Sequence, residues 1–319
     1  MKRIALIVLY FGKIPNYAEL FFHSLQYNPS IDVLLFTDQI VKKKLKNLII
    51  YRIEFDEIRK LIQNKFDFTI VLDKPYKLCD YRPAYGYIFE DKLINYDFWG
   101  HCDIDIILGN IRKFLSEDIL NAYDKIYQHG HMCLYRNTKI NNMRFMSNVG
   151  MDYKKVFTTA VNCVFDEIIG MQKKYDLLNI ATYKERDCAD ISPWHDSLRR
   201  VESYLTSYEK RNFNYAEQIF YWETGHLYRA YIVNNSIFRD EFNYLHFQKR
   251  DMLYDKDNNI PEAFYITRDG IVIKELGDFP DQILINKYNG KRNWKEFNRM
   301  IEYRIYIWKR RINKYFFHC

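Results

Sequence analysis

Two buried-strand runs joined by one helix-length segment are the strongest constraint on how this chain folds. Residues 4–10 are a continuous apolar run, residues 11–16 read as a loop, and residues 17–27 carry apolar side chains at helical spacing. Asn28-Pro29-Ser30 then breaks the helix, and residues 31–36 form a second apolar run ending at Thr37-Asp38. That order is a β-α-β unit, and strands apolar on both faces belong to a parallel sheet covered on both sides. Such sheets take ligands at the carboxyl ends of their strands, which sets the loop after Tyr10 and the carboxylate of Asp38 where a ligand would bind.

Further along, residues 49–55 read as a strand, 56–64 and 83–93 as helices, and an aromatic lead-in precedes Asp103-Ile104-Asp105. Beyond residue 110 the pattern predicts a helix over 118–123, a strand over 131–136 and partial helix over 153–175. It continues with a helix over 215–223, a strand over 230–233 and a hairpin over 264–274. The alternation over the first 110 residues favours α/β architecture. Neither a Gly-rich dinucleotide fingerprint nor a phosphate-binding P-loop is present.

Composition narrows the function classes. Of 319 residues, 48% are apolar and 28% charged, close to ordinary globular usage, which excludes collagen-like and disordered classes. The six cysteines stand far apart without metal-finger spacing, which predicts reduced thiols in a cytoplasmic protein. No apolar run reaches the length of a membrane span. The net charge is +7, yet residues 291–319 hold nine basic and two acidic groups and so account for all of it. A formally neutral body argues against nucleic acid as a partner, because neutralising phosphates needs a concentrated basic face.

Asp103 and Asp105 form an acid pair of the kind that binds hard divalent cations, where a diphosphate can complete the ligand shell. Alone, such a pair fits a solvated turn equally well. Asp80-x-Arg82 lies one helix upstream, followed by Tyr85-Gly86-Tyr87. This order resembles the GT-A glycosyltransferases, in which an Asp-Arg stretch and a helix precede a metal-binding Asp-x-Asp at the end of a central strand. Leu245-His246-Phe247-Gln248-Lys249-Arg250 is similar to their C-terminal His-Phe segment, which supplies a third metal ligand and a basic contact to the diphosphate. The chain to about Asn286 also resembles an uncharacterised bacterial family met among polysaccharide-biosynthesis proteins, on the features Tyr10-Phe11-Gly12, Lys77-Leu78-Cys79-Asp80 and Phe98-Trp99-Gly100.

The resemblance implies a GT-A-like α/β fold with a Rossmann-like nucleotide-sugar-binding half over residues 1–110. An acceptor-binding half over 111–290 would include the C-terminal metal and diphosphate segment, and a basic tail would cover 291–319. It implies Mn²⁺ or Mg²⁺ on Asp103, Asp105 and His246, although a histidine beside Leu and Phe also suits a buried structural role. Tyr10, Phe11, Gly12, Asp38, Lys77, Asp80 and Arg82 are the implied contacts to nucleoside, ribose or donor sugar, and Lys249 or Arg250 those to phosphate. If the reaction inverts configuration, a carboxylate must deprotonate the acceptor hydroxyl. Glu217, in an acidic-Gln pair that would open an acceptor-side helix, is the first candidate and Glu167 the second, with Asp166 and Asp196 also open. Stereochemistry is left undecided.

The implied activity is transfer of a hexose from a nucleotide diphosphate sugar, UDP-linked by analogy, to a saccharide acceptor of a capsule, lipopolysaccharide or similar surface polymer. The acceptor would be free or polyprenyl-linked. Two alternatives remain: a sugar nucleotidyltransferase, for which Gly12-Lys13 is a sparse loop, and a non-catalytic membrane-tethered saccharide-binding protein. Residues 294–319 repeat apolar positions at Trp294, Phe297, Ile301, Ile305, Trp308, Ile312 and Tyr315. This is a helical stripe that would run roughly 39 Å. A basic helix with such a stripe suits either an anionic membrane surface or packing on the body, and the first predicts a peripheral location on the inner face of the plasma membrane.

Overall fold

A computed structural model describes residues 1–195, 197–248, 250, 252, 259–268, 270–289 and 294–317. They fall into two compact units, each assembled from separate stretches of chain. The first comprises Met1–Pro15, Asn28–Ile104 and Leu115–Arg186; the second comprises Asn16–Tyr27, Asp105–Phe114 and the chain from Asp187 onward.

The first unit is built on a seven-stranded sheet. Ile4–Leu9 lies between Ile31–Thr37 and Phe98–Cys102 and is parallel to both, with Leu48–Arg52 parallel on the outer side of Ile31–Thr37. Met132–Arg136 pairs antiparallel with Phe98–Cys102, and the short strands Lys125–Ile126 and Thr182–Tyr183 complete that side. The apolar runs seen in the sequence are thus the central parallel strands, and residues 4–8 are buried throughout. Helix Phe55–Gln63 begins with a reciprocal capping box between Glu54 and Glu57, which satisfies two amides that a helix start otherwise leaves open.

Close packing around the central strand explains two glycines. A Cβ on Gly86 would stand 2.3 Å from the Trp99 indole, which is fully buried, stacks on Tyr135 and donates Nε1–H to Asn142 at 2.7 Å. A Cβ on Gly100 would stand 2.4 Å from the Cys133 carbonyl oxygen, a backbone atom of the paired strand that cannot swing aside. Gly100→Ala is therefore expected to cost about 1–3 kcal/mol of stability, read as a lower melting temperature. An unchanged melt would mean that the two strands separate freely at this point.

Residues 83–93 do not form the continuous helix that spacing suggests. The chain makes a 3₁₀ run over Pro75–Ala84, one α-turn over Tyr85–Ile88 and a second 3₁₀ turn over Glu90–Lys92. Pro83 sits within the 3₁₀ run, and the α-turn ends after Ile88, where Phe89 leaves helical dihedrals at φ −108° and ψ +28°.

The second unit holds two antiparallel-rich sheets. Its five-stranded sheet runs in the order Ser236–Phe242, His226–Val233, Gln218–Glu223, Ala263–Thr267 and Gly270–Ile273. The last two strands are the expected hairpin. Residues 215–223 were expected to be helical; they supply the central strand instead. Ile219, Phe220, Tyr221 and Trp222 are all buried, so both faces of the strand meet core, and a continuous β-branched and aromatic run suits that position better than one face of a helix. The three-stranded sheet consists of Ile106–Leu108, Tyr244–His246 and Ala189–Asp190. Helix Ala18–Leu25 belongs to this unit, where Ser24 Oγ accepts the Leu108 amide at 2.9 Å. Residues Trp294–Phe317 form one helix. Among the described residues, no helix is long and apolar enough to cross a membrane. Cys79, Cys102, Cys133, Cys163 and Cys188 are free thiols.

Candidate functional site

In the first unit the chain leaves Ile4–Leu9 for strands on one side and returns to Phe98–Cys102 on the other. That reversal is a topological switch point, where the carboxyl ends of neighbouring parallel strands open a crevice. Tyr10-Phe11-Gly12, Asp38 and Asp103 follow the carboxyl ends of three adjacent parallel strands, so they share one edge of the sheet. Gly12 adopts a φ of +91°, and a Cβ there would meet nothing within 4 Å, leaving open space beside the backbone. The Gly12 amide donates to both Asp38 carboxylate oxygens, at 3.0 and 3.2 Å, and Gln39 donates to one of them at 2.9 Å. Phe11 packs edge-on against Phe55, with ring centroids 5.4 Å apart.

Behind that edge lies a charged cluster. Arg82 donates through one terminal nitrogen to the Gly130 carbonyl at 2.8 Å and to Asp166 at 2.9 Å, and through the other to Asp103. Burial works against the Arg82 charge, but Asp103 and Asp166 outweigh it and hold the guanidinium firmly protonated. Asp166 is buried, which pushes its carboxyl up to about 7 against the opposing pull of Arg82, while Glu167 and Asp103 add to the rise. The carboxylates of Asp166 and Glu167 both press against Gly130, whose hydrogen leaves room for them. A buried carboxyl that titrates near neutrality suits proton transfer, and it also suits a structural ion pair.

Lys77 and Asp80 are turned inward. The Lys77 ammonium donates to Asp80 at 2.7 Å and to the carbonyls of Val156 and Val161, while Asp80 also accepts the amides of Cys163 and Phe165. Both side chains are enclosed, so the pair positions the loop that leads to Asp166 rather than offering groups outward.

In the second unit, register brings acids and a histidine together. His246 pairs with Ile106 on one side and Asp190 on the other, and the Phe247 amide extends the ladder to the Asp105 carbonyl at 2.9 Å. His246 Nδ1 lies 2.8 Å from Asp190 and Nε2 3.5 Å from Asp105. Gln248 donates to the same Asp190 oxygen at 2.7 Å. All three members of the triad are buried. Burial opposes a charge on His246, yet the hydrogen bonds and charges of Asp105 and Asp190 raise its proton affinity to about 10, so this pocket favours a cation strongly.

Carboxylate and imidazole together suit Mn²⁺, and carboxylates also suit Mg²⁺. Asp105 and His246 are among the residues whose ligand atoms lie close enough together to hold such an ion. A second carboxylate on Nδ1 is the usual support behind a metal-ligating histidine, because it fixes the tautomer that leaves Nε2 free to bind. Sequence reasoning missed Asp190: it sits on a two-residue strand without any motif, and only its pairing with residues 245–246 reveals it.

Glu217 precedes the strand Gln218–Glu223, and its carbonyl accepts the Ile232 amide at 3.1 Å. No helix exists there for an acidic-Gln pair to open. Gln218 is buried, donating to the Leu198 carbonyl and accepting the Tyr215 amide. Arg250 is buried against the carbonyls of Ser192 and His195. Lys249 and Asp196 lie outside the described residues.

Comparison with known proteins gives a curated relative 26% identical over 168 residues, rat 6-phosphofructo-2-kinase/fructose-2,6-bisphosphatase 4. The match takes in 51% of this chain and spans only 32% of that protein. Among solved structures, mouse xyloside xylosyltransferase 1 in its apo form aligns with a TM-score of 0.41 at 7% identity, covering 79% of this chain and 99% of that one. The glycosyltransferase GlyE of Streptococcus pneumoniae TIGR4 aligns with a TM-score of 0.33 at 12% identity, covering 59% of this chain and 46% of the other. A family model matches residues 6–275, and the chain belongs to that family, the family of unknown function DUF6625.

Proposed function

We propose that the protein is a glycosyltransferase that moves a hexose from a nucleotide diphosphate sugar, UDP-linked, to a saccharide acceptor of a surface polymer. The observation that carries the reading is the buried Asp105–His246–Asp190 array. It joins two residues singled out from sequence as metal ligands, 141 positions apart in the chain. Asp103, two positions before Asp105, is the further carboxylate that the Asp-x-Asp pattern offers to a hard cation. A divalent cation held by these groups would supply neutralisation of the charge on a departing diphosphate.

The chain's own residues divide the remaining work. Asp190 would take the Nδ1 proton of His246, an arrangement that aims Nε2 toward Asp105 and a cation beside it. Asp38 and the open backbone at Gly12 receive the nucleoside at the switch-point edge. Arg82 sets the positions of Asp103 and Asp166 from one guanidinium. Glu167 and Asp166, side by side at Gly130, are the carboxylates for acceptor deprotonation if configuration inverts.

Incubation of the purified chain with a panel of nucleotide sugars and Mn²⁺ tests the reading. Release of a nucleoside diphosphate supports it. Pyrophosphate chemistry would instead identify a sugar nucleotidyltransferase, and no product together with no metal-dependent nucleotide binding would leave a saccharide-binding protein. Asp190→Asn is expected to weaken Mn²⁺ affinity by about 10–100-fold in calorimetry, the usual effect of removing the group behind a ligating histidine. Unchanged affinity would leave His246 without a ligand role.

A further inference from the structure

The helix Trp294–Phe317 has two faces with different fates. Tyr303 and Tyr306 pack against Trp194 at a tilt, with ring centroids 4.9 and 5.1 Å away, which docks one side of the helix on the second unit. At about 100° per residue, Trp294, Phe297, Ile301, Ile305 and Trp308 fall on the opposite side. All five are exposed, Trp294 at 80% and Trp308 at 66%. Docking therefore leaves outside an apolar stripe of about 20 Å, at 1.5 Å per residue. Contiguous apolar surface of this kind marks an interaction face.

Charge selects the occupant. Residues 291–319 carry nine basic and two acidic groups. Two copies meeting through the stripe would bring two cationic segments together. An anionic bilayer satisfies both features at once: aromatic and aliphatic side chains enter the acyl boundary while Lys and Arg meet the headgroups. Tryptophans near the ends of the exposed stripe suit the level of the headgroups.

We infer that this helix lies in the plane of an anionic lipid surface, stripe inward, and holds the body against it by its Trp194 face. The inference is independent of the proposed catalysis. The full chain is expected to sediment with phosphatidylcholine vesicles containing phosphatidylglycerol and not with phosphatidylcholine alone, and added salt is expected to weaken the association. Phe297→Asp combined with Ile301→Asp is expected to lower the vesicle partition by at least about tenfold, because two apolar anchors are lost. Circular dichroism should show an unchanged melt, since both side chains face solvent. Equal binding of the variant and the unaltered chain would overturn the inference. So would absence of binding to either vesicle, or a dimer in sedimentation equilibrium that the same variant dissociates. The lipid and salt dependence of the unaltered chain is decisive even if the variant misfolds.

Discussion

Asp105→Ala is expected to abolish Mn²⁺-dependent UDP binding in calorimetry while leaving the fold intact. The loss should reach at least about a hundredfold, because groups that merely orient a metal ligand are already worth about 10–100-fold. That corresponds to about 2.7 kcal/mol or more. The fold survives because Asp105 joins the sheet through its carbonyl, which accepts the Phe247 amide and which alanine retains. No charge is stranded either, since His246 can shed its proton once one of its two carboxylates is gone. In the metal-free protein, the raised proton affinity of His246 contributes stability that is fully present below about pH 6.5 and lost as pH climbs toward about 10. The variant should show a shallower fall over that window. Retained metal-dependent UDP binding would remove Asp105 from the cation site.

Asp80→Ala should be the most destabilising of the substitutions considered, at about 3–5 kcal/mol in urea unfolding, the range seen when one partner of a buried ion pair is removed. Asp80 is fully enclosed, and its loss leaves the Lys77 ammonium buried without its carboxylate, held only by the carbonyls of Val156 and Val161. It also takes the acceptor from the amides of Cys163 and Phe165. Those amides anchor the approach to Asp166 and Glu167, so their hydrogen exchange should quicken more than that of the central strands. Adding Lys77→Met should recover part of the loss, because the stranded charge goes while the two amides remain unsatisfied. A cost below about 1 kcal/mol would show that the pair does not anchor this loop.

The parts of the fold that were legible in the sequence are those governed by local rules. The runs over residues 4–10 and 31–36, set on either side of one helix-length segment, read as buried parallel strands, and they are interior parallel strands of the seven-stranded sheet. The helix after Glu54 announced itself by spacing and is held by its capping box. The segment over residues 215–223 was not legible, because a short apolar and aromatic run suits a buried strand and a buried helix alike until its neighbours are known. Lys77 and Asp80 fall between these cases. Their motif was visible, but whether a charged pair faces a ligand or an inner loop depends on what surrounds it, and here that is the chain from Val156 to Phe165.

The acid pair and His246 were readable as residue types suited to a cation, since ligand chemistry belongs to the side chain and needs no fold to state it. Bringing His246 beside Asp105, and setting Asp190 behind it, required strand pairing across 141 residues of chain. The tail shows the same division. Periodicity and charge alone specify a cationic amphipathic helix, because both are local properties. Which face stays bare is a matter of packing, and it follows from Trp194 taking the tyrosine side of the helix and leaving the tryptophan side to solvent.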